Sequence, residues 1–243
     1  MDHRATGSDP APVTDEDAER TGSIGQHRTL VEFAGGDGTA VKKKSLYAAE
    51  QDSVAGQIAR SLWKEQVGKI DPDKLIFLDE SGVSTDMTRL YGRAPQGQRV
   101  REGTPAGRWR TLTLLGAIRR SGWVAAMTIE APTDGDIFLA YLEQALGPQL
   151  RPGDVLVMDN LAAHKVQGVR ERIQATGAQL LYLPPYSPDF NPIEQCWAQV
   201  KQRLRAAKAR SVLALEHHLS EALASVTPQN FQACFLHCGY GLS

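Results

Sequence analysis

Two short apolar runs in this chain each end in an aspartate, and they constrain its fold more than any other feature. The run at 155–158 reads VLVM and is followed by Asp159, and the run at 75–78 reads LIFL and is followed by Asp79. Four consecutive apolar residues bounded by polar ones are typical of a strand that is buried on both faces. We therefore expect two buried strands, each with a carboxylate where the chain leaves the sheet.

A third acid, Glu194, lies in the first turn of a helix that follows the proline-rich segment LPPYSPDFNP at 183–192. It is separated from Asp159 by 34 residues. Carboxylate oxygens are hard ligands that suit Mg²⁺ or Mn²⁺, and paired ions of this kind catalyse phosphoryl transfer. Three acids on two strand ends and one helix start therefore predict a site for two such ions.

Glu194 also has a structural interpretation. Asn191 as N-cap, Pro192 at the first helical position and Glu194 at the third would form a capping box, in which the carboxylate turns back to the helix terminus. A carboxylate in that position cannot fully face a metal ion. The two interpretations therefore predict different directions for the same side chain.

Composition excludes several classes of protein. The chain has 243 residues, of which 42% are hydrophobic and 23% charged, so it can bury one sizeable core and is neither fibrous nor disordered throughout. Its three cysteines fit a reducing cytoplasm better than a disulfide framework. No apolar run approaches the roughly 20 residues of a membrane helix. We expect a soluble cytoplasmic protein without a membrane partner.

The net charge of −1 hides an uneven distribution. Residues 1–38 contain eight acids and three arginines, a net charge of −5, whereas the remaining residues carry 24 basic and 20 acidic side chains, a net charge of +4. The acidic segment is rich in Gly, Ser, Thr and Pro and lacks a lasting hydrophobic period, which predicts disorder. The rest of the chain has a mild bias toward a polyanionic partner.

The remaining pattern predicts three segments. After the acidic segment at 1–38, residues 39–70 form a linker and a packing helix from Asp52 to Val67, in which Val54, Ile58, Leu62 and Trp63 recur at helical spacing. Residues 71–243 form the main domain. Its predicted elements are strands at 75–79, 109–118, 123–129, 154–158 and 179–183, and helices at 137–146, 166–175, 192–207 and 212–226.

The order of these elements predicts the fold. Three strands joined antiparallel, a helix, a strand-helix-strand unit and a closing helix outline an α/β ribonuclease H-like fold, with a mixed five-stranded sheet flanked by helices. In this arrangement Asp79 faces the same side of the sheet as Leu75 and Phe77, and Glu80 points away from it.

Four motifs carry a resemblance to a known family. They are LIFLDESG, MTRLYGRAPQGQR, VLVMDNLAAHK and LLYLPPYSPDFNPIEQCWAQVK. From about Lys42 to the C-terminus, the chain resembles transposases of bacterial insertion sequences of the "IS six-thirty" type in the mariner superfamily. The resemblance implies that Asp79, Asp159 and Glu194 are the catalytic acids and hold two Mg²⁺ or Mn²⁺ ions. It also implies DNA strand cleavage and strand transfer on transposon ends and target DNA, in a homo-oligomeric synaptic complex.

Such transposases carry helix-turn-helix modules ahead of the catalytic domain. The acidic, aperiodic residues 1–38 do not have the pattern of such a module. We therefore expect end recognition to come from a separate helix-turn-helix polypeptide, from a longer frameshifted product, or not at all if the copy is a remnant. Two alternative functions share the fold. One is a nuclease or resolvase without strand joining, and the other is an inactive or repurposed remnant that only binds DNA or partner chains.

Several basic residues are candidates for DNA contact. Their alternative is a solvated surface, because charge clusters on helix faces are common without any ligand. His164 is either a loop histidine, a phosphate contact or a group that orients the Asp159 site. Asp189 is expected to make an Asx turn. The candidate DNA-binding residues are His164, Lys165, Lys201, Arg203, Arg205 and Arg93.

Overall fold

The computed structural model describes residues 48–241, with the exception of Pro105. The predictions for residues 1–38 and for the start of the linker lie outside the described residues. The helices are α1 (Val54–Val67), α2 (Gly135–Tyr141), α3 (Val169–Ala175), α4 (Ile193–Ala207), α5 (Val212–Ala224) and α6 (Pro228–His237). The strands are β1 (Leu75–Ser84), β2 (Thr111–Arg119), β3 (Gly122–Ile129), β4 (Val155–Met158) and β5 (Gln179–Tyr182). A π-helical turn, Leu142–Leu146, extends α2.

The five strands form one mixed sheet in the order β3-β2-β1-β4-β5. The pairs β1–β2 and β2–β3 are antiparallel, whereas β1–β4 and β4–β5 are parallel. This arrangement follows from the connections: a tight turn joins β2 to β3, and α3 carries the chain from β4 across to its parallel neighbour β5. The predicted ribonuclease H-like architecture is confirmed.

The sheet separates two hydrophobic clusters because strand side chains alternate between its faces. On one face, Leu75 and Phe77 of β1 pack with residues of α1, α4, α5 and α6. On the other face, Ile76 and Leu78 pack with residues of α2 and α3. Asp79 continues the first face, so it points toward the side of the sheet that α4 covers.

β1 is longer than the sequence predicts. The apolar run ends at Leu78, but the strand continues to Ser84 because its pairing with β2 continues to the pair Ser84 and Thr111. Asp79 therefore lies inside β1 rather than at its end. Pairing with β4 covers only Leu75–Phe77 of β1. Asp79 therefore lies just beyond the part of β1 that pairs with β4, where, in the described part of the chain, that edge of β1 has no strand hydrogen-bonded to it.

Helix α1 forms as predicted, but its buried face is only partly the predicted one. Trp63 and Val67 are buried, whereas Val54, Ile58 and Leu62 are exposed. The helix contacts the rest of the chain through a face that also carries Arg60, and the exposed residues lie on another side. It belongs to the same compact unit as the sheet. None of the helices in the described part of the chain has the length and hydropathy needed to cross a membrane.

Candidate metal centre and active site

A cavity of about 500 Å³ opens where β1, β4 and the start of α4 meet. The three acids singled out in the sequence, Asp79, Asp159 and Glu194, all line it. Its other walls are the end of β4 and the proline-rich loop after β5. These walls comprise Asn160, Leu161, Leu183, Pro184, Pro185, Tyr186, Ser187, Pro188 and Asn191.

Strand register brings the two aspartates together. In the parallel pair of β1 and β4, Leu75 lies beside Val155 and Phe77 beside Val157. Continuing this register by two residues places Asp79 beside Asp159. The ladder itself ends at Phe77 and Val157, but both aspartates follow residues of the face that α4 covers, and both line the same cavity.

Helix α4 delivers the third acid. Its approach to the sheet depends on Gly116, the residue of β2 that pairs with Asp79. A Cβ atom at Gly116 would lie 2.4 Å from the ring of Trp197, so only glycine leaves room for this indole. Trp197 follows Glu194 by three residues on the helix, and burying it seats the first turn of α4 against β1.

The capping interpretation of Glu194 disagrees with the structure. Helix α4 has Pro192 at its N-cap position and no side-chain hydrogen bond that caps it. The Oδ1 atom of Asn191 is buried and accepts no hydrogen bond within the described chain. The Glu194 carboxylate is therefore directed into the cavity instead of toward its own helix terminus.

The three acids repel one another, and burial and this repulsion both raise the pKa of two of them. Burial, together with the charges of Glu194 and Asp159, raises the pKa of Asp79 from 3.8 to about 7. Burial also raises the pKa of Glu194, an effect that Lys201 reduces and Asp159 reinforces. The cavity thus holds more negative charge than its protein surroundings balance.

The donor set fits a divalent cation. Asp79 Oδ2 is buried and has no hydrogen-bond partner among the described residues, which is costly for a carboxylate oxygen unless a ligand engages it. The ligand atoms of the three acids are not all within 4.8 Å of one another. In the described chain, ligand atoms within 4.8 Å of one another occur in one group on the surface of α5, which consists of His217, His218 and Glu221.

His164 lies beneath Asp159 and is completely buried. Its Nδ1 is 2.8 Å from Asp159 Oδ1, and its Nε2 is 3.4 Å from Glu80 Oε1, which reaches it from the opposite face of β1. The ring also stacks against Phe138 at 4.4 Å between centroids. Its imidazole has no accessible surface in this structure, so the geometry offers no route for the predicted phosphate contact. The alternative interpretation, orientation of Asp159, agrees with the geometry.

The contact with His164 gives Asp159 a pKa shift opposite to that of Asp79. Burial alone would raise the pKa of Asp159, but hydrogen bonds from His164 and from the N–H of Leu161 outweigh burial and lower it. Burial would likewise lower the pKa of His164, but Asp159 and Glu80 raise it to about 9. Asp159 is therefore an ionised carboxylate at neutral pH, held by a charged imidazole.

Two further residues belong to this region: Glu80, for which the sequence predicts only that it points away from Asp79, and Arg60, for which the sequence predicts no role. Arg60 of α1 donates two hydrogen bonds to the carboxylate of Asp189, at 2.9 and 2.5 Å, and one to Ser187 Oγ at 2.8 Å. Its guanidinium also lies over the ring of Phe190, 4.1 Å from the centroid. Asp189 is thus a partner of α1, and this pairing lowers its pKa. The only sequence signal for Arg60 is its place one turn before Trp63.

The other predicted DNA-binding residues are spread around the domain. Arg203 and Arg205 line a groove of about 610 Å³ on α4, together with Arg89 and Tyr91. The positive charge of Lys201 lowers the pKa of Glu194 and so partly offsets the effect of burial. Lys165 lies over the ring of Tyr182 at 5.8 Å, and Arg93 is exposed in the long connection between β1 and β2.

Two neighbours of these basic residues are engaged by the chain itself. Lys208 pairs with Glu102, and Arg210 donates hydrogen bonds to the carbonyls of Thr85 and Met87. These two basic residues, which directly follow α4 in the chain, are therefore already engaged within it.

The chain matches the family described as DDE superfamily endonuclease over residues 74–216, which include all three acids. This chain belongs to the DDE superfamily endonuclease family. A comparison with curated proteins finds no match.

Solved structures similar to this DDE family member are complexes and domains of the Mos1 transposase. A Mos1 paired-end complex with the left transposon end has a TM-score of 0.67 and 16% identity, covering 83% of this chain and 64% of that chain. A Mos1 mariner paired-end complex with Mn has a TM-score of 0.64, also at 16% identity, over 84% of this chain and 65% of that one. The catalytic domain of Mos1 mariner transposase has a TM-score of 0.53 and 15% identity, covering 83% of this chain and all of that domain. The DDE family member therefore shares the Mos1 fold and spans 64% of the first Mos1 chain.

Proposed function

We propose that this chain is the catalytic domain of a DDE transposase of the bacterial insertion-sequence type, which cleaves DNA strands and joins the freed ends to target DNA. The observation that carries the proposal is the cavity where Asp79, Asp159 and Glu194 converge with unbalanced negative charge. Asp79 is buried, Asp159 is half-buried and Glu194 is exposed, and repelling carboxylates around a buried one destabilise the fold unless cations offset their charge. Such a cost is typical of a site that is used for chemistry.

The three acids would hold two Mg²⁺ or Mn²⁺ ions. Support comes from the hard-oxygen donor set, from the unpartnered Asp79 Oδ2, and from solved Mos1 complexes that are named with Mn and with Mg. When bound, such ions activate a water or 3′-hydroxyl nucleophile and stabilise the leaving oxygen in an in-line displacement.

The residues around the acids would fix their geometry. His164 holds one oxygen of Asp159 in place and keeps the carboxylate ionised. Trp197 and Gly116 hold the first turn of α4 against the sheet, and so position Glu194. Electrostatic catalysis requires ligand groups that their surroundings hold in place, and these contacts would serve that purpose.

DNA would approach along α4. Lys201 lies close enough to Glu194 to affect its pKa, and Arg203 and Arg205 continue the basic surface along the same helix. Phosphate contacts of this kind position a strand without reading its sequence. Transposon ends and target DNA are the partners that the proposal implies, in a homo-oligomeric complex.

A strand-transfer assay tests the proposal. Labelled linear donor DNA that carries the element ends is incubated with the 243-residue chain, target plasmid and Mg²⁺ or Mn²⁺, and the products are separated by size. We expect metal-dependent cleavage and joined donor-target products, both abolished in Asp159→Asn. The matched control is Asp136→Asn, which changes an exposed acid in the first turn of α2 and should leave both products unchanged.

Two outcomes would contradict parts of the proposal. Cleavage without joined product would show a nuclease of the same fold. No cleavage with either metal, in a chain that still binds DNA, would show a binding remnant and refute the enzymatic assignment.

A further inference from the structure

Tyr186 combines two unusual properties at the mouth of the candidate active site. The residue is 58% exposed and belongs to the loop that lines the cavity of the three acids. Its backbone is left-handed, with φ of 56°, which is rare for an aromatic residue. Among the described residues, Lys208 is the other non-glycine residue with positive φ, and it occupies the C-cap of α4, where this conformation is common.

The surrounding structure imposes this conformation on Tyr186. The side-chain amide of Gln51 donates a hydrogen bond of 2.5 Å to the Tyr186 carbonyl. The next residue, Ser187, is held by Arg60, which also binds Asp189 through two hydrogen bonds. Strain that the surroundings maintain in this way is typical of functional sites.

Packing does not explain the Tyr186 side chain. Within the described part of the chain, its ring stacks on no other ring or cation and its hydroxyl group makes no hydrogen bond. Leu161, on the β4 side of the same cavity, is also exposed, at 47%. An exposed aromatic ring and an exposed aliphatic side chain therefore flank a cavity that also holds three carboxylates, an arrangement that suits a ligand with both a charged and an apolar part.

A nucleotide is such a ligand. If a DNA phosphate lies at the acids, as the proposed function requires, the adjoining base lies at the cavity rim. Aromatic side chains bind unpaired bases by stacking, and they do so with little sequence preference because every base has a π-face. We propose that Tyr186 is a DNA-contacting residue that stacks on an unpaired base next to the phosphate at the acids. This inference rests on the proposed function for the nature of the substrate.

Base fluorescence tests the contact without requiring turnover. The probe is a duplex with a 3′ single-stranded overhang that carries 2-aminopurine at its first unpaired position, bound in Ca²⁺. A second probe carries 2-aminopurine in the paired interior. For the wild-type chain we expect at least about a twofold loss of fluorescence on the first probe, and little change on the second, because stacking quenches this base.

The variants separate stacking from a structural role. Tyr186→Phe and Tyr186→Trp keep a ring and should keep the quenching, whereas Tyr186→Ala and Tyr186→Gly should lose it. Tyr186→Gly should also raise the melting temperature by about 2 °C or more, because glycine adopts positive φ without strain. A more stable variant that no longer quenches the probe would show that the ring serves the ligand and not the fold.

The inference and the proposed function fail in different ways. Equal quenching by Tyr186→Ala and the wild-type chain, or quenching of the interior probe alone, would overturn the inference and leave the proposed function standing. Tyr186-dependent quenching in a chain that never cleaves DNA would support the inference and refute the enzymatic function. Absence of any DNA binding would refute both.

Discussion

Replacing Asp79 with asparagine should stabilise the metal-free protein, even though it removes a proposed metal ligand. The pKa of Asp79 is raised from 3.8 to about 7 by burial and by the neighbouring acids. A group with a raised pKa favours folding fully below its unfolded pKa, and this contribution is lost as pH rises through the folded pKa. Stability without metal should therefore fall between about pH 4 and pH 7 and stay low above it.

The size of this effect follows from the two pKa values. Each tenfold change in proton affinity corresponds to about 1.4 kcal/mol, so the ionised Asp79 costs the folded state at most about 4 kcal/mol at pH 8. Asparagine has nearly the same shape, carries no charge and can still accept the hydrogen bond from the Glu80 N–H. We expect Asp79→Asn to raise the free energy of unfolding by about 2 to 4 kcal/mol at pH 8, and by little at pH 4.

Urea unfolding in EDTA, at pH 4 and pH 8, measures this difference. Asp136→Asn is the control for removal of an exposed acid and should change stability at neither pH. Added Mg²⁺ should stabilise the wild-type chain more than Asp79→Asn, because the variant has lost a ligand and much of the repulsion that the ion relieves. If Asp79→Asn were less stable than the wild-type chain at pH 8 without metal, the argument from a buried Asp79 that neighbouring carboxylates repel would be refuted.

Four further outcomes are expected. Asp159→Asn should lower metal-dependent DNA cleavage by orders of magnitude with an unchanged circular-dichroism spectrum, and wild-type activity in this variant would contradict its assignment. Alanine substitutions of Arg60 and Asp189, singly and together, should give a coupling energy of about 1 kcal/mol in urea unfolding, since the pair is partly exposed; additive effects would contradict the contact. Gly116→Ala should destabilise the chain by about 1 to 3 kcal/mol and impair cleavage, because the added methyl group displaces Trp197; a neutral effect in both assays would show that α4 has room to spare. The 243-residue chain should prefer element ends over scrambled duplex by less than about 10³ in binding titrations, and a greater preference would reveal a missed recognition element.

The sequence predicts the sheet well because its strands are signalled locally. The apolar runs before Asp79 and Asp159 are too short for helices and become β1 and β4, and the tight turn between β2 and β3 is where the pattern predicts it. The extension of β1 to Ser84 is not readable in the same way. It depends on pairing with Thr111, and a long connection separates these two strands in the chain.

The sequence likewise predicts only those parts of the candidate site that have a local signal. The acids can be found from the sequence because each lies beside a recognisable strand or helix start. The burial of His164 cannot, because it depends on Phe138 of α2 and on Glu80 of β1, which only the folded sheet brings to the same place. Arg60 and Asp189 are likewise 129 positions apart, and no local pattern connects them.

The alternation of side chains along β1 explains why one short stretch of sequence serves two roles. Asp79 faces α4 and lines the cavity, where Glu194 completes the set of acids. Glu80, the next residue, must face the other way, and there it meets His164, which in turn holds Asp159. One acid of the pair thus belongs to the site itself, and the other supports it from behind the sheet. Exchanging the order of the two residue types would leave composition, charge and propensity almost unchanged, yet it would break both contacts. The position of each acid relative to the pleat therefore determines its function.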